Sequence, residues 1–175
     1  VFTGATTVNE GSTALLSVAL SGNPNGTRTM NLVSGNTAAI TITPATLTFN
    51  ASNWNIPQAV LMTGVADANT SAETVTITAS GVDLGGATTN VSTVDSTVIA
   101  IILTPSGTTV AEGGTSTLDV KLSAEPSPST TVTLATSNAG SVSLSTTTLT
   151  FDNVCPGPNC WSSNQTVTLT GVEDV

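Results

Sequence analysis

The chain has no histidine and no tyrosine, and it sets only two basic residues, Arg28 and Lys121, against eleven acids. Without histidine, the Ser–His and Cys–His systems of nucleophilic catalysis are excluded. Two cations cannot neutralise a run of phosphates, so nucleic acid is excluded as a partner, and so is electrostatic attachment to an anionic membrane. Hydrophobic runs are short too. The longest, Val98–Leu103, has the length of a strand, far below the ~20 residues of a membrane-spanning helix, which argues against membrane insertion. Charged residues make up 7% of the chain, too few for the composition of a disordered segment. The chain starts without Met and without a signal peptide, so it is expected to be a processed form or a fragment.

Threonine is abundant, at about a fifth of the residues, with Ser, Val, Ala and Leu filling much of the rest. β-branched residues suit a pleated, half-buried surface. Period-two alternation marks strands: Ala14, Leu16, Val18 and Leu20 share one face, Met30 and Leu32 another, and Val75 and Ile77 another. Residues 1–9 read as one edge strand, and Ser80–Gly86 as a Gly-rich loop before a last strand near Thr88–Val94. About seven short strands with frequent turns and no helical period predict an antiparallel β-sandwich.

The chain also repeats itself. The stretch Thr43–Asp67 returns as Ser145–Asp174: Leu47-Thr48-Phe49 as Leu149-Thr150-Phe151, Trp54 as Trp161, Gln58 as Gln165, and Gly64-Val65 as Gly171-Val172. The turn Glu10-Gly11-Ser12 returns as Glu112-Gly113-Gly114. A repeat fixes the unit of folding, here two β-sandwich domains over residues 1–96 and 97–175. Val175 aligns with Ala68, so the second sandwich is expected to lack about two C-terminal strands. Three readings stand: a piece of a longer array, a gap filled by a strand from another chain, or further sequence beyond these residues.

Two cysteines and no histidine cannot build a four-ligand zinc site within one chain. Cys155 and Cys160 therefore read as a local disulfide, with a free reactive pair as the alternative. A disulfide implies an oxidising compartment. Trp54 and Trp161 share a repeat position and read as core or loop-closing anchors, or else as exposed platforms for a glycan. Asn25, Asn50, Asn69, Asn90 and Asn164 each begin an N-x-Ser/Thr sequon, a glycosylation signal in surface proteins. The acids sit mostly alone, without the paired carboxylates of a glycosidase, and Lys121 reads as a solvent-facing strand residue. No enzyme is expected.

The residues Pro44, Leu47–Phe49, Asn53-Trp54-Asn55, Pro57-Gln58 and Gly64–Asp67 resemble tandem repeats of large bacterial surface proteins. So do the turns Val8-Asn9-Glu10-Gly11 and Val110-Ala111-Glu112-Gly113. Such repeats are similar to Calx-β and bacterial immunoglobulin-like domains. The resemblance implies tandem immunoglobulin-like (Calx-β-like) antiparallel sandwiches at a cell surface, some binding calcium at strand ends. The matching acids are Glu10, Asp67, Glu73 and Asp95 in the first copy, and Glu112, Glu173 and Asp174 in the second. The sequence departs from the family at Ala66, where the family often has Asp, and in its terminal acids, which Asp95 represents alone. The alternative is that these acids are turn residues that keep an acidic surface soluble.

The expected function is a non-enzymatic structural repeat of an extracellular surface protein: a stalk, adhesin segment or filament subunit. Its partners would be adjacent repeats or neighbouring copies of itself, or a glycan or protein ligand. The alternatives are a pilus-like subunit completed by a neighbour's strand, and a calcium- or glycan-binding module with Ca2+ as its cofactor.

Overall fold

Alternating apolar and hydroxyl side chains build nearly every element. In the segment Thr74–Gly81, Val75, Ile77 and Ala79 are buried while Thr74, Thr76 and Thr78 face solvent, the period of a strand with one wet face. The computed structural model describes residues 1–173, and among them there is no helix. The protein is all-β, built from several sheets whose pairings are nearly all antiparallel.

The chain divides into two units. The first comprises Val1–Asp67 and Ser71–Ser96, the second Ala68–Thr70 and Thr97–Val175. The sequence reading assigned Ala68–Thr70 to the first repeat. The structure groups these three residues with the second unit, where Asn69 bridges Glu125 and the Glu125 N–H donates to the Ala68 carbonyl at 3.1 Å.

The first unit contains β1 (Phe2–Gly4), β2 (Thr7–Asn9), β3 (Thr13–Val18), β4 (Arg28–Ser34), β5 (Ile40–Thr43), β6 (Thr46–Phe49), β7 (Gln58–Gly64), β8 (Thr74–Gly81) and β9 (Leu84–Val94). Two sheets, β1-β3-β7-β5 and β2-β9-β8-β4-β6, enclose a core in which Phe49, Ile40, Met62, Ile77 and Val91 are fully buried. Residues 1–9 are not one strand, as the sequence suggested. At Gly4, with φ +110°, the chain leaves β3 and crosses to the other sheet, where β2 runs parallel to the end of β9. The expected loop Ser80–Gly86 is instead a tight hairpin. Asp83 takes a positive φ of 59°, and β9 begins at once at Leu84.

The second unit contains β10 (Ile101–Thr104), β11 (Thr115–Leu122), β12 (Thr130–Thr133), β13 (Val142–Leu144), β14 (Thr148–Phe151) and β15 (Gln165–Gly171). Its sheets are β10-β11-β15-β13 and β12-β14, around Val120, Phe151 and Val167. The repeated residues do the same work in each unit. The Gln58 amide donates to the Thr48 carbonyl at 2.8 Å, and the Gln165 amide to the Thr150 carbonyl at 2.7 Å. The carbonyls of Trp54 and Trp161 accept from the N–H groups of Leu20 and Leu122. Trp161 packs on the core and Trp54 is half-buried, so both act as loop anchors. Cys155 and Cys160 form a disulfide that closes the loop before Trp161.

Gly64 and Gly171 mark the tightest repeated contact. A side-chain carbon at Gly64 would meet the Asn9 carbonyl, and one at Gly171 the Ala111 carbonyl. Backbone cannot yield there as a flexible side chain can, so Gly64→Ala should cost about 1–3 kcal/mol as overpacking. Gly85, which faces open space, is the control. Thermal unfolding should show a clear loss for Gly64→Ala and none for Gly85→Ala. Reducing the Cys155–Cys160 bridge should cost about 2 kcal/mol, as expected for so small a ring; denaturant unfolding with and without reductant measures it.

Candidate metal centre

The crossing of the first strand has a second consequence. Because β2 pairs with the end of β9, with Asn9 opposite Val94, the residues that follow each strand are neighbours: Glu10 and Asp95. The end of β7 joins them through a parallel bridge between Glu10 and Gly64, and Asp67 follows shortly after. Backbone bonds fix the turn. Glu10 N–H donates to the Val94 carbonyl at 3.1 Å, Gly11 N–H to the Gly64 carbonyl at 3.0 Å, and Gly64 N–H to the Ser12 carbonyl at 3.0 Å. Gly11 supplies the left-handed φ of 68° that the turn requires.

One carboxylate oxygen from each of Glu10, Asp67 and Asp95 lies within 4.8 Å of the others. Asp67 is exposed, Asp95 half-buried, and Glu10 only 5% exposed. Neither Glu10 oxygen has a hydrogen-bond partner. A buried charge without a partner is costly. Burial pushes the Glu10 pKa up, and the negative charges of Asp67, Asp95 and Glu73 push it further. The Ser96 backbone N–H pulls the other way without closing a hydrogen bond on either oxygen.

This donor set fits a hard divalent cation. Calcium takes six to eight oxygen ligands, with carboxylates supplying the charge. Glu10, Asp67 and Asp95 would hold it, and the ion would supply the counter-charge that the Glu10 oxygens lack. Glu73 is near enough to act on Glu10 by charge, but its carboxylate accepts from Thr93 Oγ1 at 2.7 Å and its N–H donates back to that oxygen at 2.8 Å. Glu73 therefore orders the end of β9. Thr93 itself was missed in the sequence; the signal was its place two residues after Val91, on the inward face of β9.

The second unit builds the same turn and not the same cluster. Glu112 bridges Gly171 as Glu10 bridges Gly64, yet Glu112 and Glu173 are both exposed and join no group of three acids among the described residues. Asp174 lies outside the described residues. In the first unit, β9 supplies both the cover over Glu10 and the acid at its end; no such strand stands beside Glu112 among the described residues.

The sequons are scattered. Asn25, Asn90 and Asn164 are exposed, Asn25 in a turn with φ 49°. Asn90 accepts from Thr76 Oγ1 and Asn164 donates to Asp119. Asn50 and Asn69 are half-buried, and Asn50 accepts from Ser52.

The chain matches no protein-family profile and no curated protein. Among solved structures it has a loose likeness to the YadV chaperone, at 14% identity and TM-score 0.38, covering 99% of this chain and 86% of that one. The periplasmic chaperone SfaE is similar at 13% identity and TM-score 0.37, covering 94% and 96%. Neither is a Calx-β domain, and likeness at this level carries no argument about function.

The sign of the Glu10 shift gives a testable pH dependence. Folding raises its pKa, so the folded chain holds the proton more tightly than the unfolded one. Stability from this group is therefore present at low pH and lost as pH rises from the ordinary carboxyl value through the raised one. Without divalent cations, the melting temperature should fall as pH rises above the ordinary carboxyl range, and Glu10→Gln should flatten that fall. An unchanged slope in the variant would contradict the assignment.

Proposed function

We propose that this chain is a non-enzymatic structural segment of an extracellular surface protein, such as a stalk, an adhesin segment or a filament subunit. Its repeats are tandem immunoglobulin-like sandwiches of the Calx-β kind, and the first is braced by a calcium ion held by Glu10, Asp67 and Asp95. The observation that carries the cation is the buried Glu10 carboxylate with both oxygens unpartnered. An ion there ties together the turn after β2, the segment after β7 and the end of β9. Those three pieces come from both sheets, so the ion stiffens the sandwich where its layers meet.

Other features support the extracellular, load-bearing role. The Cys155–Cys160 disulfide suits an oxidising compartment. Strand faces are clothed in Thr and Ser, with cross-strand pairs such as Thr74–Ser92 and Thr76–Asn90 joined side chain to side chain. Such pairs stabilise a sheet without charge. Neither Trp is an open platform of the kind a glycan would stack on, since both are partly buried.

Calcium titration tests this reading. A ligand present at a hundred times its Kd stabilises by about 2.7 kcal/mol, so millimolar calcium should raise the melting temperature by several degrees over chelator. Glu10→Gln should abolish the rise, and Asp95→Asn should weaken it while leaving the fold intact. Magnesium, which demands tighter octahedral geometry, should do less. No shift with calcium in the wild-type chain would sink the proposal.

A further inference from the structure

One acid near the candidate metal centre does not stand free. Glu73 and Thr93 meet where the segment before β8 runs beside the end of β9, and three hydrogen bonds tie them. Thr93 N–H donates to the Glu73 carbonyl at 2.8 Å, Glu73 N–H donates to Thr93 Oγ1 at 2.8 Å, and Thr93 Oγ1 donates to Glu73 Oε2 at 2.7 Å. The first is a backbone bond and asks for no particular side chain. The other two need a hydroxyl, which can accept from the N–H and donate to the carboxylate at once. Thr93 is only 2% exposed. It shares the inward face of β9 with the buried Val91, and a second valine would suit a buried strand position. The hydroxyl therefore serves Glu73 rather than the strand.

That pair lies two residues from Asp95. The Glu73 charge acts on Glu10, yet its carboxylate stands outside the group that Glu10, Asp67 and Asp95 form. Calcium affinity is tuned by the number of charged ligands and by the rigidity of the site. Three carboxylates leave several of calcium's six to eight positions to uncharged oxygens. A fourth carboxylate, on a long side chain close to the site, is withheld by one hydroxyl.

We infer that Thr93 is a positioning residue that sets the calcium affinity of the first unit: its hydroxyl holds the Glu73 carboxylate beside the ion's ligands and keeps it from becoming one of them. The inference rests on the calcium reading above and names the residue that tunes it. Held in this way, Glu73 attracts a cation by charge without adding a ligand. The site then stays in the weak range of extracellular calcium modules, with a Kd of about 10⁻⁴–10⁻³ M, and its occupancy follows the calcium around the protein. A site with four carboxylate ligands would remain filled when calcium falls.

Calorimetric titration of the full chain with calcium tests this, with a thermal melt in chelator to show that each variant is folded. Thr93→Val releases Glu73 and should tighten binding by on the order of tenfold or more. Thr93→Ser keeps the hydroxyl and should bind as the wild type does. Adding Glu73→Gln to Thr93→Val should remove the gain. A threonine that merely supported the fold would give the opposite result, since its loss would loosen the site. Should the valine chain not fold, Thr93→Ala removes the same hydroxyl and should show the same gain. Unchanged or weaker binding by a folded chain without the hydroxyl overturns the inference and leaves the calcium reading standing, as does a gain that survives Glu73→Gln. If neither the wild type nor the hydroxyl-free chain binds calcium at millimolar concentration, both readings fall.

Discussion

The short parallel pairing of β2 with the end of β9 is the constraint on which the first unit depends. It forces the opening strand to leave one sheet at Gly4 and join the other. That crossing ties the two layers together and closes one end of the core. It also sets the Glu10 turn between β7 and β9, where the backbone bonds to Val94 and Gly64 hold it. The burial of a carboxylate follows from that placement. A glutamate on this turn has no choice of environment, because the two strand ends beside it are fixed by their own ladders.

The two repeats act as an internal comparison of that constraint. Both carry the same turn, the same bridge to a glycine on the returning strand, and the same close approach of backbone to that glycine. Only one of them buries its glutamate. The difference lies in the sheet around the turn: β9 covers Glu10 and delivers Asp95, and its counterpart is absent beside Glu112 among the described residues. The turn motif places the carboxylate, and the neighbouring strands decide its chemistry. The same strands explain why Ile40 is sealed while Val142 is not.

Much of the fold was legible in the sequence because its signals are local. Alternation named the inward faces of β3, β4 and β8, and the repeat put Gln58 and Gln165 in equivalent places. What escaped was set by pairing between distant segments. Residues 1–9 carry no local mark of a change of sheet except one glycine. The run Ser80–Gly86 looks like a loop because three of its residues are glycine, yet pairing with β8 draws Leu84 and the glycines after it into a strand. At the candidate site, the turn motif and its resemblance marked the acids, and the structure gathers Glu10, Asp67 and Asp95. No pattern in the sequence said that Glu10 would be buried with both oxygens unpartnered, since that depends on the β2–β9 register.

The shortage of basic residues bears on the same carboxylate. A protein with many lysines and arginines can answer a buried acid with an internal ion pair, whose mutual attraction offsets part of the cost of desolvation. This chain has two basic residues in all, and one of them, Arg28 on β4, is paired with Asp83 in the β8–β9 turn. Every charge acting on Glu10 is negative. Two states then relieve the site: the carboxyl keeps its proton, or a cation arrives from solution. The first neutralises the Glu10 carboxyl alone, while the second gives the unpartnered Glu10 oxygens a counter-charge at the point where Asp67 and Asp95 converge. Composition and geometry thus point the same way, because a chain that cannot neutralise its own buried acid has built that acid where two more converge.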